Sequence, residues 1–107
     1  MKILLVCAAG MSTSLVAESM QDALSEEEKD WVISAEPSEQ FHDVVNEYDV
    51  VLLGPQVRFK KDEFQEAAGE NIPVAIINTI DYGCCRGDKI LQAAKELYKN
   101  KLLGERT

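Results

Sequence analysis

The stretch Ile3-Leu4-Leu5-Val6-Cys7-Ala8-Ala9-Gly10-Met11-Ser12-Thr13-Ser14 decides the reading of this chain. Four apolar residues in succession read as a strand buried on both faces, and the small and hydroxyl-bearing residues after them read as a turn into a helix. No side chain from Ile3 to Ala17 is charged. Beyond the turn, Leu15, Val16, Met20, Ala23 and Leu24 recur at helical spacing and form one apolar stripe.

Working outward, the same alternation recurs. Further apolar runs fall at Trp31 to Ala35, Val50 to Leu53 and Val74 to Ile77. The first of these, interrupted by Ser34, suits an edge strand, whereas the other two, like Ile3 to Val6, suit strands covered on both faces. Between them lie a stripe of Phe41, Val44, Val45 and Tyr48 and a shorter one of Phe64, Ala67 and Ala68. A long final stripe of Ile90, Leu91, Ala94, Leu97 and Tyr98 has Gly104 placed as a stop just beyond it. Strand and helix in strict alternation predict a three-layer α/β sandwich around a four-stranded parallel sheet, one domain over residues 1–107. Right-handed crossovers and a central position for the most apolar strand predict the order 2-1-3-4. Ligands of such sheets bind beyond the carboxyl ends of the strands where the winding reverses, which is the loop Cys7 to Ser14.

Composition narrows the class. Eleven Lys and Arg against 19 Asp and Glu give the 107-residue chain a net charge of −8, which excludes the phosphate backbone of nucleic acids and anionic membrane surfaces as partners. The run Ile3 to Val6 is too short for a secretory signal, Val6 before Cys7 does not suit a lipoprotein cleavage site, and no run is long enough to span a bilayer. Three cysteines, two of them adjacent as Cys84-Cys85, give no disulfide framework, so a reducing cytoplasm is the expected compartment.

The first loop carries the chemistry. Gly10 permits a tight turn, and Ser12, Thr13 and Ser14 cap a helix or donate to an anion. Free amides and the positive end of the helix dipole favour a phosphate-like group there, and the same field favours thiolate over thiol at Cys7. A cysteine at a strand end is by default packing, and a Ser/Thr triplet is by default a cap. The coincidence of nucleophile, glycine and three hydroxyls at one switch point raises the functional reading.

The sequence resembles the IIB components of the bacterial phosphoenolpyruvate-dependent sugar phosphotransferase system, of the lactose/cellobiose (diacetylchitobiose) type. The resemblance covers essentially the whole chain and rests on Ile3 to Ser14, on Val51-Leu52-Leu53-Gly54-Pro55-Gln56-Val57-Arg58-Phe59, and on Ile72-Pro73-Val74 leading to Asp81-Tyr82-Gly83. It implies a cytoplasmic phosphoryl carrier without a cofactor or metal. Cys7 then takes a phosphoryl group from a phosphohistidine of a IIA protein and passes it to a sugar of the cellobiose, lactose or chitobiose class held by a membrane IIC permease. Ala8, Ala9, Gly10, Met11, Ser12, Thr13 and Ser14 form its phosphate-binding loop. The implied fold is similar to that of the low-molecular-weight tyrosine phosphatases, but the arginine those enzymes place six residues after the cysteine is Thr13 here. A loop lacking it holds a thiophosphate while promoting hydrolysis poorly. Donor and acceptor must share the surface around an exposed thiol.

Other residues border the same edge. Gln56 and Arg58 are candidate contacts to the phosphate or a docked partner, with a solvated arginine in a Gly-Pro turn as the plainer alternative. Asp81, expected to cap or to shape a turn, and Tyr82 complete the edge. Cys84 and Cys85 support a competing class, a thiol redox or arsenate-reductase-like enzyme pairing one of them with Cys7. His42 reads as a surface helical histidine, and it and the three cysteines lack the paired spacing of a zinc site. A receiver-like binding module fails because no carboxylates gather at the end of the first strand. Trp31 reads as core. The acidic run Glu26 to Asp30 falls at the far end of the first helix, and with Arg58 and Arg86 near the loop the reactive edge is expected to be far less negative than the molecule.

Overall fold

The structure is a computed structural model that describes residues 1–7 and 11–105, with the side chains of 11–13 and 102–105 outside the description. Four strands, β1 (Lys2–Cys7), β2 (Val32–Pro37), β3 (Val50–Leu53) and β4 (Val74–Ile76), form one parallel sheet in the expected order β2-β1-β3-β4. The helices are α1 (Met11–Asp22), α2 (Phe41–Val44), α3 (Lys61–Ala68), α4 (Thr79–Gly83) and α5 (Gly87–Glu105), with 3-10 turns at Glu26–Glu28, Ser38–Gln40, Val45–Glu47 and Pro55–Lys60.

Alternation along the central strands divides the core in two, because successive side chains of a strand point to opposite faces. Ile3 and Leu5 of β1 with Val50 and Leu52 of β3 join Val16, Met20, Ile90, Leu91 and Ala94 from α1 and α5. Leu4, Val6, Val51 and Leu53 join Phe41, Val45, Phe64 and Ala68 on the other face. Phe41 and Phe64 stack there with centroids 4.0 Å apart. A β1 that is apolar at every position from Ile3 to Val6 is what two such layers require, and all four residues are fully buried.

Several expectations need correction. Leu15 is 61% exposed, while Ala17 takes the buried place beside Val16 and Met20. Ala67 is exposed, and Phe64 and Ala68 alone carry the inner face of α3. The second stripe makes only one turn of α-helix, flanked by 3-10 turns, and Tyr48 lies past it in extended backbone. Helix α5 runs through Gly104 instead of stopping before it. Strand β4 lies at the second edge of the sheet, so Ile76 is 42% exposed and not covered on both faces.

Helix α5 approaches α1 very closely at its first residue. A Cβ on Gly87 would lie 2.3 Å from the backbone carbon of Ser19, so only glycine fits. The Ser19 hydroxyl completes the junction, accepting from the Gly87 amide at 3.0 Å and donating to the Cys85 carbonyl at 2.9 Å. Cys85 adopts a left-handed backbone with φ of 50°, a conformation that costs a non-glycine residue about 1 kcal/mol.

Candidate functional site

Strand β1 is flanked by β2 and β3, and its last residue, Cys7, stands in register with Pro37. Helix α1 begins after it at Met11 and returns toward the start of β2, so Cys7 sits at the switch point where the chain crosses to opposite sides of the sheet. The cysteine is 2% exposed. This corrects the expectation of an exposed thiol: the register that ends β1 keeps Cys7 inside the sheet's last rung. Ala8, Ala9 and Gly10 lie outside the described residues, as do the side chains of Met11, Ser12 and Thr13, while Ser14 is exposed on α1.

The segment after β3 closes against this position. The Gly54 amide donates to the Val6 carbonyl at 2.7 Å, continuing the ladder one step past β3. A Cβ built on Gly54 would lie 2.8 Å from the Gln56 side-chain oxygen and 3.5 Å from the Cys7 Cβ. The missing side chain therefore makes room for the Gln56 side-chain oxygen in a space that Cys7 also borders. Val57 is buried and anchors the 3-10 turn, while Arg58 is exposed and donates from Nη1 to the Pro55 carbonyl at 3.2 Å. That geometry is the plainer alternative for Arg58, a guanidinium bracing its own turn.

The segment after β4 supplies the other wall. Asn78, not Asp81, caps α4: its Oδ1 accepts from the Ile80 and Asp81 amides at 2.9 and 3.1 Å. Asp81 pairs instead with Arg86 at 3.7 Å, which ties α4 to the turn before α5. Gln56 Nε2 donates to the Tyr82 hydroxyl at 3.3 Å, so two of the expected edge residues meet across the gap between the β3 and β4 segments. Cys84 is exposed at the end of α4, and Cys85 packs against the first core, both as free thiols. His42 is exposed, as expected, with its ring edge-on to Phe41. Trp31 is partly buried against the first core just before β2. No group of three or more His, Cys, Asp or Glu among the described residues is placed to hold a metal. No helix among them is long and apolar enough to cross a membrane.

The reading from sequence missed Ser19 and Gly87, because a serine inside a helix and a glycine before Asp88 carry no local mark of a distant contact. It also missed the cap at Asn78, although an asparagine just before a short helical turn is a preferred cap.

A parallel four-stranded α/β sheet with one cysteine at the end of its first strand and a helix starting just beyond defines a phosphatase-like class of fold. Within that class, residues 2–93 match the model of the family described as PTS system, Lactose/Cellobiose specific IIB subunit, and the chain belongs to this family. It is 44% identical over 101 residues to the PTS galactose-specific EIIB component of Lactococcus lactis subsp. cremoris, covering 89% of this chain and 94% of that protein. The cellobiose-specific EIIB component of Lactococcus lactis subsp. lactis is 43% identical over the same shares, and the oligo-beta-mannoside-specific EIIB component of Bacillus subtilis is 36% identical over 94% and 98%. Among solved structures, the cellobiose-specific IIB component of Borrelia burgdorferi superposes with a TM-score of 0.76 at 43% identity, covering 94% of each chain. The lactose-specific IIB component domain of Streptococcus pneumoniae superposes at 0.81 over 92% of this chain and 97% of that one, at 23% identity, a likeness of fold. The chain is thus a sugar-specific IIB component, a phosphotransferase part of sugar uptake.

Proposed function

We propose that Cys7 carries the phosphoryl group, and that residues 1–107 act as one cytoplasmic domain between a IIA phosphohistidine and a sugar at a membrane IIC permease. In the first step the Cys7 sulfur attacks phosphorus, the histidine N–P bond breaks, an S–P bond forms and the thiol's proton passes to the leaving histidine nitrogen. In the second a sugar hydroxyl attacks phosphorus, the S–P bond breaks and the hydroxyl's proton restores the thiol. The sugar is of the cellobiose, lactose or chitobiose class, a reading that the galactose, cellobiose and oligo-beta-mannoside specificities of the relatives support. Ala8 to Ser14 form the phosphate-binding loop, with amides at the start of α1 as anion donors.

The observation that carries this reading is the position of Cys7 at the switch point of the sheet in a chain of this family. Its burial adds to it, since a phosphothiol shielded from water persists until an acceptor docks. The segments that follow β1, β3 and β4 expose Leu15, Phe59 and Ile80 at 61%, 77% and 64%, apolar side chains on the carboxyl side of the sheet that offer a docking donor something to cover. Incubation with phosphoenolpyruvate, the general phosphotransferase proteins and a matching IIA is expected to add one phosphoryl mass to the intact chain. Retention of that mass in Cys7→Ser would refute the assignment.

A further inference from the structure

We propose that Gln56, held by Tyr82, is a reversible amide switch that reads the phosphorylation state of Cys7; the inference rests on the phosphocysteine reading above. Two independent observations converge on this amide. Gln56 Oε1 and the Cys7 Cβ both border the space that a Gly54 side chain would fill, 2.8 and 3.5 Å from where its Cβ would stand. Gln56 Nε2 is meanwhile engaged by the Tyr82 hydroxyl from the neighbouring segment. In this orientation the amide oxygen lies on the side of Gly54, where Cys7 also stands, and the nitrogen on the side of Tyr82. A phosphoryl group on Cys7 favours the opposite orientation, because its anionic oxygens repel a carbonyl oxygen and attract an N–H donor. An amide satisfies both states by turning half a revolution about its last torsion. Few residues support both orientations from the other side. A hydroxyl does, since it accepts from Nε2 in one state and donates to Oε1 in the other. Tyr82 is therefore a positioning residue, and Gln56 is a phosphoryl ligand supplied by the β3 segment in a loop whose seventh position is Thr13 in place of arginine.

The test uses the full chain charged through its IIA donor. Gln56→Glu keeps the size of the side chain but replaces the donor with a negative charge, and is expected to lower the lifetime of phosphocysteine on the order of tenfold. Tyr82→Phe is expected to lower it by about threefold with little change in thermal stability. In the wild type, the side-chain amide resonances of Gln56 are expected to shift on phosphorylation and to return on dephosphorylation, a readout that needs no variant. Unchanged amide resonances, or phosphocysteine of wild-type lifetime in Gln56→Glu, would overturn the switch while leaving Cys7 as carrier. Failure of Cys7 to become phosphorylated at all would overturn both.

Discussion

At the carboxyl edge of the sheet the chain leaves β3 and β4 through segments that carry Arg58 and Lys60, then Asp81 and Arg86, together with exposed Phe59 and Ile80. At the amino edge it passes through Glu26, Glu27, Glu28, Lys29 and Asp30, and then Asp49 and Glu70. The amino edge is closed by polar staples. Gln65 Nε2 donates to the Gly69 and Ile72 carbonyls at 3.0 Å while its Oε1 accepts from the Val74 amide at 2.9 Å. The Lys2 amide donates to Asp49 at 2.8 Å, and Glu28 pairs with Lys95 of α5. The amino edge is thus rich in carboxylates and tied down, and the segments that follow β3 and β4 carry cations beside exposed apolar side chains on the side of the sheet where Cys7 stands.

The contrast is sharpest at the place where it is least clean, the Ser19 junction, where structure reaches into the carboxyl edge. Gly87→Ala drives a Cβ into the α1 backbone and is expected to cost about 3 kcal/mol, read as a lower Tm, together with slower phosphoryl transfer because α1 starts at the cysteine loop. Gln65→Ala, at the amino edge, is expected to cost about 2 kcal/mol through three lost hydrogen bonds yet leave the transfer rate of the folded protein unchanged. Transfer that slows in Gln65→Ala at a temperature where the chain is folded would break the division between the edges. The surface pair Phe59→Ser with Ile80→Ser reverses the pattern: an unfolding free energy within about 0.5 kcal/mol of wild type, and a KM for the IIA donor raised by about tenfold.

The smallest effect is electrostatic. Lys95 beside Glu28, helped by the Ser25 amide, holds that carboxyl below its ordinary value of 4.5. A depressed carboxylate stabilises the fold above its unfolded pKa and loses that contribution as pH falls through the folded one. The stability difference between wild type and Glu28→Gln is therefore expected to be present at neutral pH and to shrink below about pH 4.5, as followed by urea unfolding at several pH values.

Most of the sheet was legible because β1 and β3 are apolar at successive positions, a pattern that two covering layers demand and little else explains. The switch point followed from strand order, and with it the place of Cys7. Less was legible where contacts are made by distant residues. Leu15 fits the helical stripe of α1 by spacing, yet nothing local says that the rim of the site leaves it uncovered. The 3-10 turns around α2 answer to the tight path between β2 and β3, and Gly104 continues α5 because a glycine ends a helix only where the backbone turns left-handed. Cys85 is the clearest case: its backbone strain and its hydrogen bond to Ser19 belong to a junction between residues 66 apart, invisible to any window of sequence.

The account's central claim is that the phosphoryl group rides on sulfur at the end of β1. Phosphorus NMR of the chain charged by phosphorylated IIA, followed by peptide mapping under conditions that preserve the phosphothiol, tests it most directly. The expected result is a single phosphothiol signal mapping to the peptide that contains Cys7 and absent from Cys7→Ser. A signal on His42, or on Cys84 or Cys85, or one that survives in Cys7→Ser, would contradict it.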